Sequence, residues 1–340
     1  MKYQLWFFYV FVVGFYLINA YITINKEKGD DYMNQRIIIP MDHGNRNLKT
    51  AQHVFTSGLI ESDCRPVLGE YLYYNNRYYT LSEQRIPYMR DKTSDERFFI
   101  LTLFGIAMEA EKRILSDHNS VLQVELPIGL PPKHYGALHE KFAKYFLNRG
   151  VQKFTYNKKD YQVEIVSVAT FPQDYAAAMT VYKDISSYSR VTTVDIGGFT
   201  LDYLLLRNGR PDLSACDSLE KGVITLYNKI SSRVNSEHDI LLEDTDIDDI
   251  IKNGKTDYSQ IVVQTVREMT KMYVDDIFGA LRERGIDLKT GCVVFIGGGS
   301  LLLKEFLKNS DKVGKSIFID DICANAKGYE LLYKVQKKGR

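Results

Sequence analysis

One nine-residue pattern occurs twice along the chain. The first copy is MDHGNRNLK (residues 41–49) and the second is VDIGGFTLD (residues 194–202). Each copy has an aspartate, a glycine two residues later, a small polar residue five later and a charged residue seven later. The repeat predicts two related halves, each with a β-hairpin at the same place. The matched pairs are Asp42 with Asp195, Gly44 with Gly197, Asn47 with Thr200, and Lys49 with Asp202.

Length and charge agree with two folded halves. The chain has 340 residues, which at roughly 150 residues per domain suggests two domains. The 44 basic and 43 acidic residues leave a formal net charge of +1, which excludes a protein that coats a polyanion. With 45% hydrophobic and 26% charged residues, the composition is that of an ordinary globular protein.

Cysteine and histidine give no sign of a metal site. The cysteines have no CxxC spacing and the histidines are equally dispersed, which argues against a zinc site and against a disulfide framework. A reducing compartment fits this usage best. The four cysteines are Cys64, Cys216, Cys292 and Cys323.

The amino-terminal segment allows two interpretations. Residues 5–24 carry no charge and are long enough to span a bilayer, and no signal-peptidase site follows them. The positive charges after the segment outnumber Lys2, so an anchor there would leave the rest of the chain in the cytoplasm. Alternatively, translation starts at Met33 and residues 1–32 are a mis-assigned start. Both interpretations predict a cytoplasmic protein.

Strand and helix patterns alternate after Met33, which predicts α/β layers. Period-two and β-branched runs predict strands, and apolar residues at helical spacing predict helices. The expected strands are 37–40, 71–74, 78–81, 121–128, 161–170, 191–207 and 291–296. The expected helices are 95–115, 135–148, 219–234, 258–284 and 301–308.

The repeated hairpin suits a phosphate group. A glycine turn lets backbone N–H groups converge on an anion, since a side chain there would block close approach. The aspartate beside each turn suits Mg²⁺, which binds one or two carboxylates together with water and phosphate oxygens. Lys49 would add a positive charge for the β or γ oxygens. A purely structural alternative remains for each copy, in which the aspartate caps the hairpin turn.

A third glycine segment, Gly297–Gly298–Gly299–Ser300, follows a predicted buried strand. Bare backbone there would let a flat adenosine or a phosphate lie against the chain and the next helix, although a tight strand-to-helix turn explains the glycines equally well. The sequence contains no GxxxxGK[ST], no GxSxG elbow and no GxGxxG after the first strand. Those nucleotide-binding and hydrolase classes are excluded.

Together these segments resemble a known superfamily. IPMDHGNRNLK resembles the first phosphate motif, VDIGGFTLD the second and VVFIGGGSLLL the adenosine motif of the actin, sugar-kinase and heat-shock-chaperone ATPases. SLEKGVITLYNKI and the late ANAKGY are similar to the ParM/StbA plasmid-segregation actins. The resemblance implies two ribonuclease-H-like, actin-like ATPase domains with a nucleotide cleft between them. We expect domain I at 33–190 plus 312–340, and domain II at 191–311.

The resemblance also implies a role for each matched residue. Asp42 and Asp195 would hold Mg²⁺ through water, and Gln173 would orient the attacking water, so these three are the expected catalytic residues. ParM-type proteins carry a glutamate at the position of Gln173, and His43 and Arg46 are bulkier than the residues usual in the first loop. The remaining residues expected at ATP are Gly44, Asn45, Asn47, Lys49, Gly197, Gly198, Thr200, Asp202 (which would order water), Glu220, Lys221, Gly297, Gly298 and Gly299.

The resemblance implies a Mg²⁺-dependent ATPase that forms filaments in the cytoplasm. Such a protein would segregate plasmid or other replicon DNA through an adaptor protein, without touching nucleic acid itself. A small-molecule kinase of the same fold is an alternative, but no segment clearly supplies its catalytic aspartate. A nucleotide-binding scaffold tethered to the membrane by residues 5–24 is a third possibility.

Overall fold

The computed structural model describes residues 36–87, 89, 91–113, 121–253 and 257–339. Within those ranges, no helix is long and apolar enough to cross a membrane. The two interpretations of the amino terminus, an anchor at residues 5–24 or a start at Met33, concern residues outside the described ranges.

The chain divides into two compact units. The first unit comprises Met1–Leu130, His134–Thr180 and Cys323–Arg340, as far as these are described, and the second comprises Pro131–Lys133 and Val181–Ile322. The second unit thus extends further in both directions than the expected 191–311. At its far end the reason is a strand within residues 312–322, which pairs in the second unit's sheet.

The first unit contains a seven-stranded mixed sheet. Its strands are β1 (Arg36–Ile38), β5 (Leu59–Ser62), β6 (Leu72–Tyr74), β7 (Arg77–Leu81), β8 (Leu122–Leu130), β9 (Val151–Tyr156) and β10 (Lys159–Pro172). Their order is β1-β8-β10-β9-β6-β7-β5, with β8 parallel to both β1 and β10. The predicted strands of this region are confirmed, while β9 was missed because its turn, Asn157–Lys158, lacks glycine although both residues have positive φ.

A small antiparallel sheet in the same unit carries the first copy of the repeat. It consists of β2 (Asp42–His43), β3 (Asn47–Lys49) and β4 (Val54–Thr56). Met41 forms a bridge to Ile128 of β8, so the hairpin starts where β1 leaves the large sheet.

The second unit contains a five-stranded sheet. Its strands are β11 (Arg190–Ile196), β12 (Leu201–Arg207), β13 (Arg210–Leu219), β14 (Cys292–Ile296) and β15 (Lys315–Phe318). The order is β13-β12-β11-β14-β15. The predicted hairpin turn at Asn208–Gly209 is confirmed, since both residues have positive φ, as a two-residue turn of this type requires.

Ten α-helices cover the described parts of the two units. They are α1 (Arg97–Lys112), α2 (Pro132–Phe146), α3 (Tyr175–Thr180), α4 (Tyr182–Ile185), α5 (Val223–His238), α6 (Asp244–Asn253), α7 (Gln260–Glu283), α8 (Gly297–Leu302), α9 (Lys304–Lys308) and α10 (Ala324–Lys338). One expectation was wrong: the glycines of residues 297–299 are not a loop before a helix but the first turn of α8.

Each unit has its own hydrophobic core. In the first unit, α1 is buried over most of its surface and packs its aromatic and aliphatic side chains under the sheet. In the second unit, α5, α6 and α7 pack against β11, β12 and β14. The late ANAKGY segment proves to be a helix-packing motif, because a Cβ on Gly328 would lie 2.0 Å from the carbonyl oxygen of Ala176 in α3.

Candidate functional site: two phosphate hairpins

The two copies of the repeat form hairpins with the same register. Asp42 on β2 lies directly opposite Lys49 on β3, and Asp195 on β11 lies directly opposite Asp202 on β12. In each hairpin, therefore, the second and the ninth residue of the repeat are cross-strand partners. The matching strand pairing confirms the prediction that each half carries the same β-hairpin.

The glycine of each repeat faces the small polar residue three positions later. A Cβ on Gly44 would lie 2.5 Å from the carbonyl oxygen of Asn47, and one on Gly197 would lie 3.3 Å from that of Thr200. The amide of Gly197 donates a hydrogen bond to the same Thr200 oxygen at 2.9 Å. At Gly44 any side chain would force the backbone to move, and at Gly197 a side chain would make a tight contact.

The second loop turns three successive amides away from helix α5. The carbonyl oxygens of residues 197–199 accept hydrogen bonds of 2.9–3.1 Å from the amides of residues 222–224 at the start of that helix. In a trans peptide the N–H points opposite to the C=O, and no described peptide is cis. The N–H groups of residues 198–200 therefore point away from α5, an arrangement suited to an anion.

The first loop is held in a similar way, by two side chains and one backbone amide. The Ser57 hydroxyl donates to the carbonyl oxygen of Gly44 at 2.8 Å, and the Ser57 amide donates to that of Arg46 at 2.9 Å. The Lys92 ammonium donates to the carbonyl oxygen of His43. By the same peptide geometry, the amides of residues 44, 45 and 47 point away from these donors.

Sequence reasoning missed the residues that hold the loop carbonyls. Ser57 and Lys92 lie 13 and 49 positions from their partners, and no local pattern links them to the loop. Gly222 had a readable signal, since it stands immediately before a helix start. Its hypothetical Cβ would lie 2.3 Å from the Gly198 carbonyl group, so its missing side chain lets α5 reach the loop.

Two of the three expected catalytic residues meet in the first unit. The Gln173 side-chain amide donates to Asp42 Oδ1 at 2.9 Å, and the Lys49 ammonium lies 4.0 Å from Asp42 Oδ2. The backbone of Gln173 is fixed by a 2.8 Å hydrogen bond to the carbonyl oxygen of Leu130, the last residue of β8. Asp42 is only 4% exposed, so its carboxyl group contacts these two side chains in place of bulk water.

The third, Asp195, lies in the second unit against the first glycine of α8. A Cβ on Gly297 would lie 2.2 Å from Asp195 Oδ1, and Gly297 has φ +85°, so two constraints require glycine there. Gly299 is also required by packing, since its Cβ would lie 2.6 Å from the Ile196 carbonyl oxygen. Gly298 differs from both, because it is exposed and its Cβ would meet nothing within 4 Å.

Asp202 is a buried carboxyl on β12, just after the loop of the second hairpin. The Thr200 hydroxyl donates to its Oδ2 at 2.8 Å. Burial raises the pKa of Asp202, and the negative charge of Asp217 adds to the rise, while the hydroxyl partners and Lys133 act against it. Thr200 and Asp202 are thus tied together beside the loop amides.

Glu220 and Lys221 lie between β13 and α5. Glu220 is exposed and Lys221 is half-buried. The Tyr273 hydroxyl of α7 donates to the Lys221 carbonyl oxygen at 2.9 Å, which fixes the backbone next to Gly222. Their expected contact with adenosine stays a prediction.

The two bulky residues of the first loop have different orientations. Arg46 is exposed, whereas His43 is 1% exposed and packs between Phe142 and Phe146 of α2. Burial, followed by the nearby Lys92 charge, lowers the pKa of His43 to about 3. His43 is therefore a neutral core residue rather than a phosphate ligand, and Asn45 between them is half-buried.

Each hairpin by itself offers amides suited to a phosphate group and a carboxylate suited to a hard cation. Over the described residues, no group of three or more His, Cys, Asp or Glu side chains is placed to hold a metal ion. Mg²⁺ requires less than that, since one or two carboxylates suffice when water and phosphate oxygens complete the octahedron. Asp42 and Asp195 each stand beside a loop whose amides suit phosphate oxygens.

Comparison with known proteins agrees with this picture. No curated protein matches the sequence significantly. Residues 193–309 match the family model of the archaeal MreB-like actin homologue, C-terminal domain, a range that includes the second hairpin, α5, α7 and the three glycines.

Solved structures match nearly the whole chain. The archaeal actin homologue Ta0583 is 17% identical with a TM-score of 0.70, over 88% of this chain and 99% of its own, and it has also been solved with ADP. The psk41 ParM protein is 14% identical with a TM-score of 0.68, over 90% and 99%. The ParM of a 15-stranded filament from Clostridium botulinum is 17% identical with a TM-score of 0.66, over 89% and 100%. The fold is that of the ParM-type actin-like proteins, as the motifs predicted.

Proposed function

We propose that the protein is a Mg²⁺-dependent ATPase that binds ATP through its two phosphate hairpins and assembles into filaments while ATP is bound. The observation that carries the proposal is the matched pair of hairpins, in which aspartate, glycine and outward-facing amides recur in the same register. The fold shared with ParM filaments supports the same assignment.

In this proposal each side chain has a defined task. The amides of residues 198–200 and those of the first loop bind phosphate oxygens, and Lys49 adds a positive charge. Asp42 and Asp195 would hold Mg²⁺ through water, and the bound ion would supply positive charge next to the phosphates. Gln173 orients the attacking water, because an amide is too weak a base to take its proton.

The hydrogen bond from Gln173 to Asp42 supports this division of work. A glutamine at this position keeps its amide nitrogen on the carboxylate at 2.9 Å and leaves its carbonyl oxygen to accept a hydrogen bond from water. A glutamate there would instead repel Asp42. We therefore expect slow hydrolysis that depends on orientation and not on a general base.

Steady-state release of phosphate tests these roles. Asp195→Ala should abolish Mg-ATP turnover, and Gln173→Ala should retain nucleotide affinity while turnover falls by about 10²-fold, which is the lower range for a positioned catalytic group. Asp276→Ala and Gln264→Ala replace the same residue types on the exposed face of α7 and should behave like wild type. Normal turnover in both site variants would remove the assignment.

We further propose that the cargo is a replicon DNA held through a separate adaptor protein. The net charge of +1 supports this, because direct DNA binding relies on neutralising several phosphates. A gel-shift assay at low salt should give no shift of duplex DNA by this protein alone. A strong shift there would contradict the need for an adaptor.

A further inference from the structure

Buried polar residues flank the first phosphate loop on both sides. His43 immediately precedes Gly44, and Thr50 immediately follows Lys49. Their exposed fractions are 1% and 0%, so both side chains point into the first unit. Every residue expected to touch phosphate in this hairpin lies between these two, at positions 44–49.

The first contact joins His43 to Thr102 of α1. His43 Nε2 lies 2.8 Å from Thr102 Oγ1. The Thr102 hydroxyl also lies 2.8 Å from the carbonyl oxygen of Phe98, one turn earlier in α1. Thr102 thereby links the imidazole of His43 to the backbone of α1.

The second contact joins Thr50 to Glu109 of the same helix. Glu109 is fully buried, and its Oε1 accepts from the Thr50 hydroxyl at 2.5 Å and from the Gln52 amide at 3.2 Å. Arg113 lies 3.3 Å from its other oxygen and supplies the opposite charge. The Thr50 hydroxyl also accepts from the His53 amide at 2.9 Å, which closes the turn that leads into β4.

Both contacts fall on one stripe of α1. Thr102, Gly105 and Glu109 are spaced by three and four residues, so they share a helix face. Between the two polar contacts, a Cβ on Gly105 would lie 2.9 Å from the Met41 side chain, so the hairpin rests directly on the helix there. One rigid helix thus meets the hairpin at both ends of the phosphate loop.

We infer that His43–Thr102 and Thr50–Glu109 act as a two-point clamp that sets the register of the first phosphate hairpin. This inference rests on the proposed nucleotide binding. The four clamp residues are positioning residues, since none of them is expected to touch the nucleotide. Successive side chains of a strand point to opposite faces. When the His43 side chain points into the unit, the Asp42 side chain therefore lies on the other face. The inward-pointing Thr50 side chain places Lys49 on that face in the same way.

The short strands make such a clamp necessary. β2 has two residues and β3 has three, so few ladder hydrogen bonds define their pairing. A slip of one residue would turn the Asp42 and Lys49 side chains to the wrong face. Such a slip would also leave a buried hydroxyl, imidazole or carboxylate without its partner, which is strongly disfavoured. Buried polar pairs are used to fix register in other folds for this reason.

The test separates positioning from stability. Thr50→Val keeps the shape but removes the hydroxyl, and leaves the Glu109 carboxylate short of a donor. The double variant Thr50→Val/Glu109→Met removes both polar groups at similar volume, a change that restores stability when a pair has only a structural role. Thr50→Ser keeps the hydroxyl. Thermal unfolding and equilibrium binding of a fluorescent ADP analogue with Mg²⁺ are measured on the full-length chain.

If the clamp positions the hairpin, the double variant should regain thermal stability without regaining nucleotide affinity. Thr50→Val should lower the Tm and weaken binding by about tenfold, the lower end for loss of a partner behind a ligand-binding group. The double variant should recover most of the lost Tm while its affinity stays weak, and Thr50→Ser should bind like wild type. Thr270→Val on α7 is the matched control, because Thr270 is equally buried and its hydroxyl donates only to the Val266 carbonyl oxygen; its affinity should not change.

Recovery of affinity together with Tm in the double variant would overturn the clamp, since the pair would then matter only for folding. Unchanged affinity in Thr50→Val would overturn it as well. If wild type itself fails to bind the analogue, the proposed nucleotide function fails first, and the clamp fails with it.

Discussion

Replacing Gly222 by alanine should separate helix α5 from the second phosphate loop. The new Cβ would lie 2.3 Å from both atoms of the Gly198 carbonyl group and 2.4 Å from the Phe199 carbonyl carbon. Ordinary contacts of a Cβ begin near 3.4 Å, so loop and helix must move apart by roughly 1 Å, since packed interiors have little slack. Both sides of the contact are backbone, so no side-chain rotation can relieve it.

The magnitude follows from the contacts that this movement breaks. Overpacking of a well-packed site costs about 1–3 kcal/mol. The three hydrogen bonds from residues 222–224 to the loop, at 2.9–3.1 Å, would lengthen beyond bonding range, at a net ~0.5–1.5 kcal/mol each. We expect Gly222→Ala to destabilise the second unit by about 3 kcal/mol or more and to weaken binding of Mg-ADP, because the loop amides lose their orientation.

Thermal unfolding followed by circular dichroism checks the stability, and a fluorescent ADP analogue checks the affinity. Gly279→Ala is the matched control: Gly279 is exposed on helix α7 and a Cβ there meets nothing within 4 Å. That variant should be stabilised by ~0.5–1 kcal/mol, as expected for alanine in a helix. A Gly222→Ala protein as stable as wild type would refute the close packing of α5 on the loop.

Two further predictions follow from single residues. Gly298→Ala should leave the Tm unchanged or raise it slightly, because its Cβ meets only open space and alanine is favoured over glycine in a helix, yet weaken nucleotide binding measured by calorimetry; unchanged affinity would remove Gly298 from the adenosine site. The pKa of His43 is lowered to about 3 from an unfolded value near 6.5. The unfolded state therefore binds more protons in between, and stability should fall by up to ~1.4 kcal/mol per pH unit as pH drops below about 6.5. His43→Gln should lose this slope in urea unfolding and His139→Gln should keep it; equal slopes in both would contradict the neutral, buried His43.

The sequence predicted the hairpins well because their chemistry is local. Asp42 and Lys49, like Asp195 and Asp202, are separated by seven residues, and a tight turn between them makes them cross-strand partners. The turn at Asn208–Gly209 was predictable for the same reason, since few residues tolerate positive φ.

The strands that were missed have weak patterns. β13 contains Pro211 and polar residues up to Asp217, with only its last residue buried, so it shows no clear alternation. β15 has four residues, none fully buried, and its place in the second sheet is determined by pairing with β14. Without that pairing, a boundary near residue 312 was the natural prediction.

The residues that hold the first hairpin in place could not be predicted from the sequence either. Ser57 and Lys92 hold loop carbonyls, and Glu109 holds Thr50 across 59 positions. Contacts of this kind depend on how α1 lies under the hairpin, which no local periodicity reveals. The glycines of residues 297–299 were recognised, but their division into two packing glycines and one open glycine required the surrounding backbone.

Right-angle light scattering after addition of Mg-ATP, with Mg-ADP as the paired control, tests the central claim most directly. A filament-forming ATPase predicts a rise with Mg-ATP that decays as the nucleotide is hydrolysed, and no rise with Mg-ADP. A flat trace from wild-type protein that binds Mg-ATP and releases phosphate would contradict the account, because hydrolysis would then proceed without assembly.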